Sequence, residues 1–447
     1  MLPTIQLLRR QLHGMVRCMD KQGHAVDGLE EELQGMEDSY DAMAEFAIRV
    51  ADSPIREDWP YIEPHDLGAI WDECDTSRPI GAIAEIDLDD AAKRVEAAFL
   101  GAVCGCMLGK PLEANPTLEE IRKAAESTGD WPINDYISEK MLDALGRRHG
   151  SWTTTSLDRI QFVSPDDDMN YSILGMLVLE KKGIQFTKHD IMNLWLHNLA
   201  PGWAFGPERV MLIKAAMRSI GGGPDDPFED WTRIWNPGSE MCGAVIRVDA
   251  YGYACPGRPA LAAELAWRDS SWTHRRTGVY SSMFVAAAIA CAFVARDPLE
   301  IFETALKFVP QRSRFYEIVA DSLDEVSKAS DWLDGYRRIN SKYGHYSHCQ
   351  VYQEVATLIN SLRFADSVGH GFCIQVSQGN DTDCFGELAG SLLGAYFGPG
   401  HLEERWLEPF NDEIRTSLAE FHERSLSRVA QRMAALPRLV SKQLGGS

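Results

Sequence analysis

"DLDDAAKRVEAAFLGAVCGCMLG", residues 87–109, decides the fold class. Gly101, Gly105 and Gly109 recur every four positions in an otherwise helix-compatible run. Residues four apart share one face of a helix, so the run predicts a helix with a stripe that carries no side chains. The same spacing returns in "FGELAGSLLGAYFG", residues 385–398, with Gly386, Gly390 and Gly394. Small-residue stripes let helix backbones touch, and these glycines read first as a packing seam. Two further segments, "YSILGMLVLEKKG" at 171–183 and "VYSSMFVAAAIACAFVA" at 279–295, are also helical in pattern. Alternating strands between hairpin turns are scarce, "AVIRVDAYGY" at 244–253 being the best short candidate. The expectation is an all-α architecture.

The chain of 447 residues is long enough for a large core, and 45% hydrophobic with 25% charged residues is ordinary for a globular protein. Its 44 Lys and Arg stand against 66 Asp and Glu, a net charge of −22 that opposes attraction to nucleic acid or an anionic membrane. No apolar run reads as a membrane span of roughly 20 residues, and Arg9 and Arg10 interrupt any signal-like core in "MLPTIQLLRRQLHG". A cytoplasmic protein with reduced, mostly buried cysteines is expected. Residues 4–50 predict a helical hairpin interrupted at Gly23, and the prolines of "DSPIREDWPYIEPHD" end it. Residues 1–86 therefore read as an N-terminal helical appendage and linker, and 87–447 as the main domain.

Chemistry concentrates in two acidic clusters. "SPDDDMNYSILG" sets Asp166, Asp167 and Asp168 before an apolar helix, and "GNDTDCFGELAG" sets Asp381 and Asp383 before another. One helix cap needs one such carboxylate. If the two helix starts face each other, five carboxylates converge, and like charges that close must either take up protons or bind cations. All-oxygen donors favour Mg²⁺ or Mn²⁺ over zinc, and a single divalent ion would leave a large negative excess, so two are expected. Asx-turn and capping roles remain the simpler alternative for either cluster alone.

With these motifs in order, residues 90–400 resemble the ADP-ribosylglycohydrolase family, the relatives of dinitrogenase reductase-activating glycohydrolase. "GAVCGCMLGKPLE" at 101–113 is similar to the family's opening Gly-rich helix, "PDDD" at 165–168 to its T-D-D-T metal motif, and "GNDTDC" at 379–384 to its G-G-D-T-D-T. "SEMCGAVIRVDAYG" at 239–252 resembles its N-G-x-x-M-R loop, and "SWTHRRTGVYSSMFVAAAIACA" a Thr-His before an Ala-rich helix. The resemblance implies an all-α, orthogonally packed bundle holding two Mg²⁺ or Mn²⁺ ions. It implies a hydrolase that cleaves the glycosidic bond of an ADP-ribosylated protein or a ribosylated small molecule. By position, Asp166, Asp167, Asp168, Asp381 and Asp383 would hold metal, with Glu113 and Asp167 as catalytic carboxylates. Gly243, Arg247 and His274 would contact substrate.

Ribosyl transfer to water passes through an oxocarbenium-like state, so such a site must activate water and stabilise the leaving atom. Glu113 is the first candidate to accept a proton from that water. Several positions depart from the family pattern: Pro165, Asp168 and Cys384 stand where it has Thr, Cys106 where it has Asp, and Cys242 where it has Asn. Two readings compete with a hydrolase. One is a nucleotide-binding protein that has lost turnover; the other, more remote, is a class I terpene synthase with two Asp-rich motifs. For Arg247 and His274 a purely structural role is as good a reading as phosphate binding. The stretch 194–210 with its tryptophans reads as core, and His345 with His348 has ligand spacing but no helix signal around it.

Overall fold

A computed structural model of the chain describes residues 3–221, 228–346 and 348–445. Among these residues the protein is all-α, with isolated β-bridges and no strand. The glycine stripes form one seam. A Cβ added to Gly101 would lie 2.5 Å from the Gly390 carbonyl oxygen, one on Gly105 1.9 Å from that of Gly386, and one on Gly109 2.0 Å from that of Thr382. The helix Leu88–Gly109 therefore runs antiparallel and backbone to backbone against Thr382–Phe397. Thr382 Oγ1 donates to the Gly109 carbonyl at 2.8 Å and locks this register at its end.

Around the seam lies an extended core. The helix Thr277–Ala292 is buried on every side, as its uninterrupted small and apolar sequence requires. By length and composition Leu88–Leu112 is apolar enough to cross a membrane, contrary to the reading of the sequence. Its most apolar 18-residue window is 83% buried within the fold, where its glycine face is pressed to a second helix.

Two local expectations are corrected. The strand candidate at 244–253 is helical, a 3₁₀ turn over Cys242–Arg247 followed by Asp249–Ala254. Its alternation does not face a sheet partner, since nearly all of its residues are buried. The N-terminal hairpin is three helices, Ile5–Lys21, Leu29–Gly35 and Tyr40–Ala51. Ser39 caps the third by accepting from the Ala42 N–H at 3.4 Å, and Arg9 occupies the carbonyls of Leu33 and Met36 where the chain breaks. Leu12, Met15, Phe46 and Val50 give this region an apolar cluster of its own, against which Ile234 and Trp235 pack. It is also tied down by charge: Arg314 grips Glu63 with two hydrogen bonds of 2.8 and 2.9 Å and reaches Glu240 at 2.5 Å.

Candidate metal centre

The seam's register sets the site. Because Gly109 lies on Thr382, the residue after it, Lys110, stands beside Asp383. Its ammonium pairs with Asp383 at 2.7 Å, Asp166 at 2.8 Å and Glu113 at 2.7 Å. Lys110 and both aspartates are buried, whereas the Glu113 side chain is 28% exposed. The acidic clusters do converge, and a cation already sits among them. Lys110 was missed in the sequence; its one signal was a lone positive charge closing an apolar helix, three residues before a Glu.

Asp166 is also the N-cap of the helix Asp167–Lys182, accepting from the Asp168 N–H at 3.2 Å. It acts as both cap and ion-pair partner. Asp168 is fully buried, with one oxygen 3.8 Å from the Cys106 thiol. Asp167 is half-buried and lies outside the groups whose donor atoms converge. Asp381 is positioned by a turn in which Gly379 and Asn380 have φ of 82° and 64°. That turn bonds to Pro116 and Thr117, a few residues after Glu113, and a Cβ on Gly379 would strike the Pro116 carbonyl at 2.2 Å.

The electrostatics follow from burial. Despite burial, the Lys110 charge draws Asp383 down to about 2. Burial, followed by repulsion from Asp383, pushes Glu113 up to about 9. Asp167, Asp168 and Asp381 are also raised, in each case first by burial and then by neighbouring negative charge. One buried oxygen on each of Asp168, Asp381 and Asp383 has no hydrogen-bond partner. Unpartnered buried carboxylate oxygens are costly without a cation, so these residues suit a further positive charge. Beneath them lies a second acidic layer: Glu387 and Asp249 are buried together, with Ser172 bonding Glu387 at 3.1 Å and Ser391 bonding Asp249.

Other expected residues lie elsewhere. Arg247 is fully buried, with its guanidinium bonded to Asp269 at 3.0 Å and Thr273 at 2.7 Å and stacked on Trp195. His274 is equally buried, between Thr273 at 2.8 Å and Glu208 at 3.3 Å. Both are core residues enclosed by the fold. A Cβ on Gly243 would lie 2.3 Å from Glu208, so this glycine makes room for a carboxylate. His345 stacks near Tyr346, whereas His348 comes within ligand distance of Glu354 and Asp381. Next to it opens a cavity of about 720 Å³, lined by His348, Tyr346 and Tyr352 and by Trp59, Tyr61 and Arg17 of the N-terminal region.

Over residues 87–436 the chain matches the ADP-ribosylglycohydrolase family, and it belongs to that family. No curated protein matches it. A solved structure described as an "ADP-ribosylglycohydrolase-related protein complex" is similar, with 19% identity over 79% of this chain and 99% of its own and a TM-score of 0.47. The family is one of glycohydrolases that act on ADP-ribosylated substrates, generally with divalent metals.

Proposed function

We propose that the protein is a metal-dependent glycosidase that hydrolyses the N- or O-glycosidic bond of a ribosylated or ADP-ribosylated substrate. The observation that carries this reading is the meeting of Asp166, Asp168 and Asp383, from two distant helix starts, beside Glu113, with Asp381 in side-chain contact with Asp383. We take the Lys110 ammonium to fill one of the two cation places, leaving one divalent ion to be held by Asp168 and Asp383 beside Cys384. When bound, such an ion supplies Lewis acidity toward ribose hydroxyls and an acidified water.

The chain's own residues do the rest. Lys110 holds Asp166, Asp383 and Glu113 in fixed places, so charge is arranged before substrate arrives. Glu113, the most open member of this ion-pair set, is placed to exchange a proton with water. Asp167, half-buried and outside the ion pairs of Lys110, can accept a hydrogen bond from a ribose hydroxyl. The recess walled by Trp59, Tyr61, Tyr346 and Tyr352 offers flat aromatic faces to a base or aglycone. On this reading residues 1–86 form a wall of that recess.

The test is mass-spectrometric screening of ADP-ribosylated peptides, ADP-ribose conjugates and nucleosides with Mg²⁺, Mn²⁺ or Zn²⁺. Release of ribose or ADP-ribose that is abolished by Asp383→Ala in a folded protein supports the reading. Lys110 in a cation place also favours a second one, a ribosyl-binding protein without turnover; ligand binding with no product across the panel would select it.

A further inference from the structure

Behind the carboxylates three thiols gather on one aspartate. Cys242 Sγ lies 3.3 Å and Cys349 Sγ 3.6 Å from the same oxygen of Asp381. Cys384 is in side-chain contact with both Cys242 and Asp381, and His348 with Glu354 flanks the other side. The sulfurs are brought together by the backbone: the Cys242 N–H donates to the Cys349 carbonyl at 3.0 Å. Glu354 then pins the loop by accepting from the Cys349 and Val351 N–H groups at 3.0 and 3.1 Å. Cys349 and Val351 both have φ above 60°, 63° and 68°, a conformation costly for a β-branched residue unless the surroundings impose it.

We propose that Cys242, Cys349 and Asp381 form a binding site for a thiophilic divalent ion of the zinc class, with Cys384 and His348 at its margins. The spacing fits. On a tetrahedral zinc with sulfur at about 2.3 Å and oxygen at about 2.0 Å, the two donors stand ~3.5 Å apart, between the two distances found. Neighbouring oxygens on an octahedral magnesium stand only about 3 Å apart. Thiols donating to a carboxylate would give similar distances, but two buried atoms here have no hydrogen-bond partner, the second oxygen of Asp381 and Nδ1 of His348. Asp381 is 2% exposed, so solvent does not satisfy it. Soft donors prefer zinc, iron or cobalt to Mg²⁺. The site adjoins the ion place of the hydrolase reading through Asp381 and Cys384, and no turnover is needed to test it.

The full chain, reduced and stripped of metal, is titrated with Co²⁺ and followed by absorbance. One equivalent should bind with thiolate-to-cobalt charge transfer and tetrahedral d–d bands, be displaced by Zn²⁺, and survive millimolar Mg²⁺. Cys242→Ser and Cys349→Ser should each weaken Co²⁺ and Zn²⁺ binding by at least about tenfold, while Cys373→Ser, buried elsewhere, should not. Circular dichroism checks folding, and metal analysis of the wild-type protein as purified gives a reading independent of the variants. The proposal is overturned if Co²⁺ binds without charge transfer, if Mg²⁺ displaces it, or if a variant carrying both Cys242→Ser and Cys349→Ser keeps the same spectrum. A Cys242–Cys349 disulfide in protein purified under reductant would overturn it equally. These outcomes differ from a failed hydrolase reading, in which the spectrum is as expected and no riboside is cleaved.

Discussion

At the scale of single residues, Lys110 is the most consequential. It pairs with three carboxyl groups from three separate stretches, at 2.7–2.8 Å each. Lys110→Met leaves those carboxylates facing one another in a buried space. In chelator the variant should lose about 3–5 kcal/mol, the usual cost of removing one partner from a buried ion pair. Added divalent ions should restore much of that loss, since the position is then open to them. Denaturant melts with chelator and with Mg²⁺ or Zn²⁺ decide it; equal stability in both would argue that the cluster is no place for a cation.

Elements carry two predictions. The seam between Leu88–Gly109 and Thr382–Phe397 has no room for a methyl group, so Gly105→Ala should cost at least about 1–3 kcal/mol by overpacking. Because the seam also sets Lys110 against Asp383, metal affinity should fall together with the melting temperature. A variant that melts early but binds metal normally would uncouple the two. The second concerns His24, whose Nδ1 bonds the Ser53 carbonyl and whose Nε2 accepts from Arg276 at 3.0 Å. Burial first, and the Arg276 and Arg275 charges with it, push the ring from 6.5 down to about 4. The unfolded chain therefore takes the proton first. The stability that the neutral ring contributes is whole above about 6.5 and is lost as the pH falls toward 4. In His24→Asn that part of the acid slope should flatten, as read from melting temperature against pH.

For the whole molecule, the join between the N-terminal region and the rest rests on charge as well as apolar packing. Arg314 is buried between Glu63 and Glu240, and the same segment supplies Trp59 and Tyr61 to the aromatic cavity. Arg314→Met should make residues 1–86 more sensitive to limited proteolysis, and it should raise KM for any substrate with a base more than it lowers kcat. Unchanged proteolysis would show that the apolar cluster around Phe46 holds the region by itself.

How much of this was legible differs by feature. Gly101, Gly105 and Gly109 announced a close-packed helix because a four-residue period is local, and the acidic runs announced a cluster because their charge is local. The split of the N-terminal hairpin at residues 36–39 was hidden, since Leu33, Met36 and Tyr40 keep helical spacing across the break. Arg247 and His274 looked available because sequence does not report burial. By itself, then, the sequence determined the all-α class, the glycine stripes and the carboxylates that had to find a counter-charge. Only the tertiary structure decided that the counter-charge is Lys110 and that Cys242, Cys349 and Cys384 gather on Asp381. Those meetings depend on the register of helices far apart in the chain, which backbone contact sets and no local pattern records.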